Sequence, residues 1–157
     1  APSVRTADCV PLLLADRQGG AFAAVHAGWR GTLAGVAPKA VETLAAGGVP
    51  PDRLVAALGP AILRCCYEVG SDVARRAAGA GLAEALAPAA SAGLPARLDL
   101  HAALRAQLLA SGIRADSIHE APLCVRCRGD LFFSHRRDGP SAGRMMASVG
   151  IALPPEG

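Results

Sequence analysis

The stretch that decides the fold is CVPLLLADRQGGAFAAVH, residues 9–26. Residues 9–15 form a continuous apolar run, typical of a strand covered on both faces, with Pro11 where no ladder donor is needed. DRQGG, residues 16–20, has the composition of a hairpin connection, and AFAAVH, residues 21–26, would be the returning strand. We therefore expect Cys9, near the start of one strand, to lie beside His26, near the end of its antiparallel neighbour.

Further elements are predicted after this hairpin. Helical spacing predicts a helix over 32–46 closed by a left-handed glycine cap, a second from Ser71 as N-cap to about residue 86, and a third from Asp99 to Gly112. Strands are predicted at 54–58, 118–121, 131–134 and 145–151, and a mobile loop at 87–96. Hairpins mixed with helical crossovers favour an α/β (α+β) layered sandwich, with helices packed on a mixed β-sheet in a single domain.

Composition bounds the class of protein. The chain has 157 residues, 52% hydrophobic and 3% aromatic, which predicts one domain with an aliphatic core. A net charge of +3, with no basic run interleaved with aromatic residues, does not support nucleic-acid binding. No apolar run approaches the ~20 residues of a membrane helix, and no secretory signal precedes the five cysteines. We expect a cytoplasmic protein without a membrane partner, with a monomer favoured.

The first residues, APSVRT, lead directly into the buried-looking segment without an initiator Met. Such a start is typical of a fragment. We therefore expect residues 1–157 to be a single domain that lacks its N-terminal segment.

Cys9 and His26 are the leading candidates for a chemical site. Their separation lies outside the short zinc-finger spacings, so the predicted hairpin has to supply their proximity. A thiolate and an imidazole at neighbouring strand ends could bind a zinc ion, or could act as a nucleophile and its base. In a third interpretation, both residues are structural. By strand alternation Asp8 points away from Cys9 unless the chain bends. It is a candidate to orient His26, or a turn acceptor.

Arg30 is the best candidate for binding an anion, because Gly28 and Gly31 beside it allow a ligand to approach the backbone closely at the strand end. A structural ion pair is its alternative role. Trp29 is expected to pack under the glycine-rich turn rather than stack on a base. Weaker candidates for anion binding are Arg136, Arg137 and Arg144.

The remaining cysteines and histidines are expected to be structural or solvent-facing. A lone Cys-x-x-Cys, here Cys124 to Cys127, is a weak metal signal, and the Cys65-Cys66 pair does not supply the usual second pair. The other histidines are His101, His119 and His135.

Several blocks of sequence, in their order along the chain, resemble one family. They are TADCVP at 6–11, HAGWRG at 26–31, LGPAI at 58–62, CYEVG at 66–70, FFSHRRDG at 132–139 and GR at 143–144. From Thr6 to about Val149 the chain resembles the multicopper polyphenol oxidases, or laccase-domain proteins, later reassigned as purine nucleoside phosphorylases with adenosine deaminase activity.

The resemblance implies a mononuclear zinc bound by one cysteine and two histidines, with Cys9 and His26 matching two of these positions. The other family histidine lies upstream of TADC, in a segment that this chain lacks, so we expect the chain alone to bind zinc weakly or not at all. The implied substrates are purine nucleosides and phosphate. We expect the catalytic set to be Cys9 and His26, which match the family motif, with Arg30 and Asp8, which are chosen from their place in the sequence; copper would be an adventitious metal.

Three other functions are alternatives. A thiol hydrolase or deamidase would use Cys9 as nucleophile and His26 as base. A copper phenol oxidase of the four-copper kind is excluded because it needs many more imidazoles than the four histidines present, although adventitious copper at Cys9 and His26 could oxidise phenols. A non-catalytic, partner-bound remnant is the last alternative.

Overall fold

The computed structural model describes residues 1–87 and 95–151. In these residues the strands are β1 Ser3–Thr6, β2 Val10–Asp16, β3 Phe22–Ala27, β4 Leu54–Leu58, β5 Glu68–Val69, β6 Leu86–Ala87, β7 Ala96–Leu98, β8 Ile118–Glu120 and β9 Met145–Ser148. The helices are α1 Trp29–Leu33, α2 Val36–Ala46, α3 Ser71–Gly79, α4 Leu100–Ala110 and α5 His135–Asp138. Most of the predicted loop at 87–96 falls on 88–94, outside the described residues.

The central sheet has the order β3-β2-β4-β8. β2 pairs antiparallel with β3 and with β4, while β4 and β8 run parallel, so the sheet is mixed as predicted. The predicted hairpin is confirmed, with Val10 opposite Ala27 and Ala15 opposite Phe22. β2 lies between two neighbours, which explains its nearly continuous apolar sequence.

Two smaller sheets complete the strands of the described residues. β1 pairs antiparallel with β9 and packs against β2 and β3, while β5, β7 and β6 form a three-stranded sheet. The predicted strand at 131–134 is wrong. The Phe132 carbonyl accepts a hydrogen bond from the Arg137 guanidinium at 2.9 Å, and the Phe133 ring is half-exposed and covers Gly143. The Phe132 carbonyl is therefore bonded to the Arg137 side chain and not to a neighbouring strand.

The helices differ from prediction mainly at their ends. The helix expected over 32–46 is two helices, because Gly35 between α1 and α2 adopts φ +76° and turns the chain. The helix expected to reach about residue 86 ends at Gly79, and Gly81 follows with φ +75°. Its N-cap is Gly70 rather than Ser71. Asp99 does cap α4, its carboxylate accepting from the Ala102 backbone N–H at 3.0 Å.

The core is aliphatic, as the low aromatic content predicts. α2 packs against β3, α4 packs against β8, and the two helices contact each other. Fully buried leucines join the sheet and helices in one cluster; they include Leu12, Leu14, Leu54, Leu104 and Leu108. This layered arrangement holds the end of the β2–β3 hairpin at the edge of the sheet.

No helix in the described parts of the chain combines the length and the hydropathy needed to cross a membrane.

Candidate active site

The register of the β2–β3 hairpin places Cys9 directly opposite Gly28. Val10 is opposite Ala27, so the next pair outward is Cys9 and Gly28, just beyond the ladder. A Cβ atom added to Gly28 would lie 2.8 Å from the Cys9 Sγ, closer than real side chains approach. The thiol therefore occupies the space that any other residue at position 28 would fill.

His26 lies on the same face of the hairpin as this thiol. Along β3, Ala27 is fully buried, while His26 before it is exposed. Because extended residues alternate between faces, His26 and Gly28 point to the side opposite Ala27. The structure thus places the Cys9 sulfur and the His26 imidazole at one end and on one face of the hairpin.

Asp8 adopts a conformation unusual for a residue with a side chain, with φ +89°. The chain bends there, so strand alternation does not govern the direction of its side chain. Its carboxylate accepts hydrogen bonds from the Ser134 hydroxyl and the Arg136 backbone N–H, both at 2.6 Å, and its carbonyl accepts from the Ile62 N–H at 2.9 Å. These bonds hold the bend before Cys9. They go to other segments rather than to His26, the partner that the sequence suggested.

Tyr67 and Arg136 form one wall beside this bend. The Arg136 guanidinium lies 5.2 Å from the centre of the Tyr67 ring and donates to the Glu68 carbonyl at 3.1 Å. Burial, followed by the negative charges of Cys9 and Asp8, raises the pKa of Tyr67 to about 12. Its hydroxyl is therefore a hydrogen-bond donor at neutral pH. No sequence signal pointed to this role, beyond Tyr67 being the single tyrosine of the chain.

Arg30 lies on the other side of the hairpin end, at the first turn of α1. Its guanidinium stacks on the Trp29 ring at 4.5 Å, and Arg76 approaches the same ring at 5.2 Å. Among the described residues no carboxylate lies within salt-bridge distance of Arg30. The two arginines line a cavity of about 350 Å³. An anion that enters this cavity would contact two guanidinium groups, both of which lie against the Trp29 ring.

The other histidines lie elsewhere. His101 is buried, with its Nε2 3.1 Å from the Gly59 carbonyl oxygen and its Nδ1 3.5 Å from the Glu120 carboxylate. His119 and His135 are exposed. Within the described part of the chain, no third histidine, cysteine or carboxylate completes a metal-binding group with Cys9 and His26.

A larger cavity of about 880 Å³ opens elsewhere, with Arg97, His101 and Glu120 among its lining residues. Neither Cys9 nor His26 lines it. Cavity size and donor chemistry therefore point to different places, and we take the Cys9 sulfur and the His26 imidazole as the candidate active site because their donor atoms are of the kind that bind zinc.

The donor set at the hairpin end fits a zinc ion in part. A cysteine sulfur and a histidine nitrogen are typical zinc ligands, and the exposed His26 leaves the face open. Burial, and then the charge of Asp8, raises the pKa of the Cys9 thiol. A raised pKa disfavours the thiolate, which both a cysteine nucleophile and a zinc ligand need, so it does not decide between these two roles.

A second group of possible metal donors lies apart from Cys9 and His26. The structure gathers the other four cysteines of the chain so that all their sulfur atoms lie within 4.8 Å of one another. Two come from the segment after β4 and two from the segment after β8; they are Cys65, Cys66, Cys124 and Cys127.

Comparison with known proteins agrees with this fold and these motifs. Residues 1–152 match the model of the multi-copper polyphenol oxidoreductase laccase family. Adenosine deaminase RL5, from an unknown prokaryotic organism, is 43% identical over 148 residues, covering 93% of this chain and 56% of that protein. The purine nucleoside phosphorylase of Deinococcus radiodurans is 39% identical over 150 residues, covering 95% of this chain and 56% of that protein.

Solved structures show the same fold. The Bacillus licheniformis hypothetical protein YfiH superimposes with a TM-score of 0.85 at 34% identity, covering 92% of this chain and 55% of that one. YlmD of Geobacillus stearothermophilus gives 0.80 at 35% identity, with 92% and 54% covered. The chain thus spans about half the length of its relatives. It belongs to the multi-copper polyphenol oxidoreductase laccase family.

Proposed function

We propose that this chain carries the Cys–His half of a zinc centre that serves purine nucleoside phosphorolysis, with adenosine deamination as a second activity. The observation that carries the proposal is the placement of the Cys9 sulfur over Gly28, on the face that His26 shares. Relatives named purine nucleoside phosphorylase and adenosine deaminase support the choice of reaction. The chain spans about half the length of those relatives, so the whole activity is part of this proposal.

Cys9 and His26 would be two protein ligands of the zinc. The described residues offer no third ligand beside this pair, so the remaining donors would have to be supplied by other groups. When bound, zinc supplies a Lewis acid that polarises a substrate oxygen or lowers the pKa of a coordinated water. Two protein ligands hold zinc less tightly than three, so we keep the expectation that the 157-residue chain binds weakly at this pair.

The surrounding residues would bind and orient the substrates. Arg30 and Arg76 offer guanidinium groups to phosphate in the cavity that they line. The Tyr67 hydroxyl, protonated at neutral pH, can donate to a sugar or purine acceptor. Asp8 is a positioning residue, because its bonds to Ser134 and Arg136 fix the bend that presents Cys9.

The metal site is tested by protection of Cys9 from alkylation. Zinc is added to the chain, iodoacetamide follows, and the modified fraction of the Cys9 peptide is measured by mass spectrometry. We expect zinc to protect Cys9 in the unmutated chain and in His119→Ala, whose histidine is exposed on β8, but not in His26→Ala. Equal protection in both histidine variants would remove His26 from the site.

The reaction is tested by incubating the zinc-supplemented chain with adenosine or inosine, with and without phosphate, and following free base and ammonia. Because the chain holds zinc weakly at this pair, zinc is supplied in excess, and we expect slow phosphate-dependent base release and, from adenosine, ammonia, both lost in His26→Ala and retained in His119→Ala. Base release without phosphate would count against phosphorolysis.

A further inference from the structure

The four cysteines outside the hairpin meet because two parallel strands end side by side. β4 and β8 are parallel neighbours, so the segments that follow them leave the same edge of the sheet. An isolated parallel bridge between Ala61 and Cys124, and a hydrogen bond from the Val125 N–H to the Ala61 carbonyl at 3.0 Å, continue this pairing beyond the strands. Cys65 and Cys66 therefore face the turn that carries Cys124 and Cys127.

The spacing of the sulfur atoms is that of a tetrahedral metal site. Four sulfurs at the usual Zn–S distance of about 2.3 Å from one ion lie about 3.8 Å apart. In the structure the Cys127 Sγ is 3.4 Å from the Cys66 Sγ and 3.9 Å from the Cys65 Sγ, and no pair in the group exceeds 4.8 Å. All four are free thiols.

Four thiolates this close together repel one another, so the group can hold its full negative charge only around a cation.

We propose that Cys65, Cys66, Cys124 and Cys127 form a structural Zn²⁺ site, separate from the Cys9–His26 pair. Binding of the ion displaces the remaining thiol protons to solvent and gives four Zn–S bonds with a net charge of −2. Two arginines neighbour the ligands in sequence and would offset part of that charge: Arg64, next to Cys65, and Arg126, inside the Cys-x-x-Cys turn. No step of oxidation or reduction is involved.

The site would connect the two segments that meet in the wall formed by Tyr67 and Arg136. Tyr67 directly follows Cys66 in the chain. On the other side, the Arg137 guanidinium donates to the Val125 carbonyl at 3.0 Å and to the Arg126 carbonyl at 3.3 Å, which ties the Cys-x-x-Cys turn to α5. A metal between the two turns would therefore hold Tyr67 and α5 in fixed relation.

The test measures zinc in protein that lacks the other candidate metal site. Chains carrying Cys9→Ser, and Cys9→Ser with Cys127→Ser, are purified under reducing conditions, and metal content is determined by native mass spectrometry and elemental analysis. We expect about one zinc per chain in the first and none in the second. Because Cys9 is absent from both, the result is independent of the proposed function. Equal zinc content in the two chains overturns the site.

A second measurement covers the case in which Cys127→Ser fails to fold. The Cys9→Ser chain, stripped of metal with a chelator, is titrated with Co²⁺. We expect the d–d and sulfur-to-cobalt absorption of a tetrahedral four-thiolate centre, saturating at one equivalent and displaced by Zn²⁺. Absence of these bands, a disulfide within the group after reducing purification, or iron in place of zinc in the purified chain would each overturn the proposal.

Discussion

Replacing Gly28 with alanine tests the contact on which the candidate active site depends. Gly28 has φ −83° and ψ 172°, an extended conformation open to any residue, so the backbone itself resists nothing. The new Cβ would meet the Cys9 Sγ at 2.8 Å, whereas ordinary contacts between such atoms are about 3.5–4.0 Å. The thiol must move by roughly an ångström. Overpacking of this size costs about 1–3 kcal/mol.

A double-mutant cycle with Cys9→Ala isolates that contact. Unfolding by urea is measured for the unmutated chain, the two single variants and the double variant. We expect Gly28→Ala to destabilise the chain by about 1–3 kcal/mol, and to cost much less when Cys9 is already alanine. The matched control is Gly79→Ala at the end of α3, where a Cβ meets nothing within 4 Å, and this change should be neutral or stabilising. An equal cost of Gly28→Ala in both backgrounds would refute the placement of the thiol.

Two further predictions concern the scaffold. Leu104→Ala, in the fully buried face of α4, should cost about 2–5 kcal/mol in urea unfolding, while Leu109→Ala on the same helix, 40% exposed, should change stability by less than about 0.5 kcal/mol. Hydrogen bonds from Arg53 lower the pKa of the buried Asp16 carboxyl to about 2. The ionised carboxylate therefore stabilises the folded chain at any pH above its unfolded pKa. This contribution is lost as the pH falls through about 2. Thermal melts between pH 7 and pH 2 should show Asp16→Asn less stable at neutral pH and less sensitive to acid; a melt profile unchanged from that of the exposed-site control Asp52→Asn would contradict this.

Local features of the fold could be predicted from the sequence, because their signals lie within a few residues. The β2–β3 hairpin follows from two apolar runs joined by a glycine-rich turn, and the Asp99 cap from a short polar side chain before an apolar helix. The local misses lie at glycines, since Gly35 divides the first predicted helix and the helix from Ser71 ends at Gly79. The other missed features are made between distant segments. β1 is recognisable as a strand only through its partner β9 at the other end of the described chain.

The candidate site divides in the same way. The proximity of Cys9 and His26 comes from one hairpin and could be predicted, whereas Ser134 reaches Asp8 across 126 positions in the chain. The cysteine group is the clearest case. Sixty-one positions separate Cys66 from Cys127, and nothing in their spacing reveals that β4 and β8 are parallel neighbours.

The strained residue at the hairpin explains why these long-range contacts matter. A positive φ at Asp8 costs of order 1–3 kcal/mol and persists only where the surroundings determine it. Three groups do so here: the Ser134 hydroxyl and the Arg136 N–H at the carboxylate, and the Ile62 N–H at the carbonyl. Two of them belong to the start of α5, which the adjacent Arg137 ties to the Cys-x-x-Cys turn. The direction in which Cys9 presents its sulfur is therefore set by the cysteine-rich end of the sheet as well as by its own hairpin.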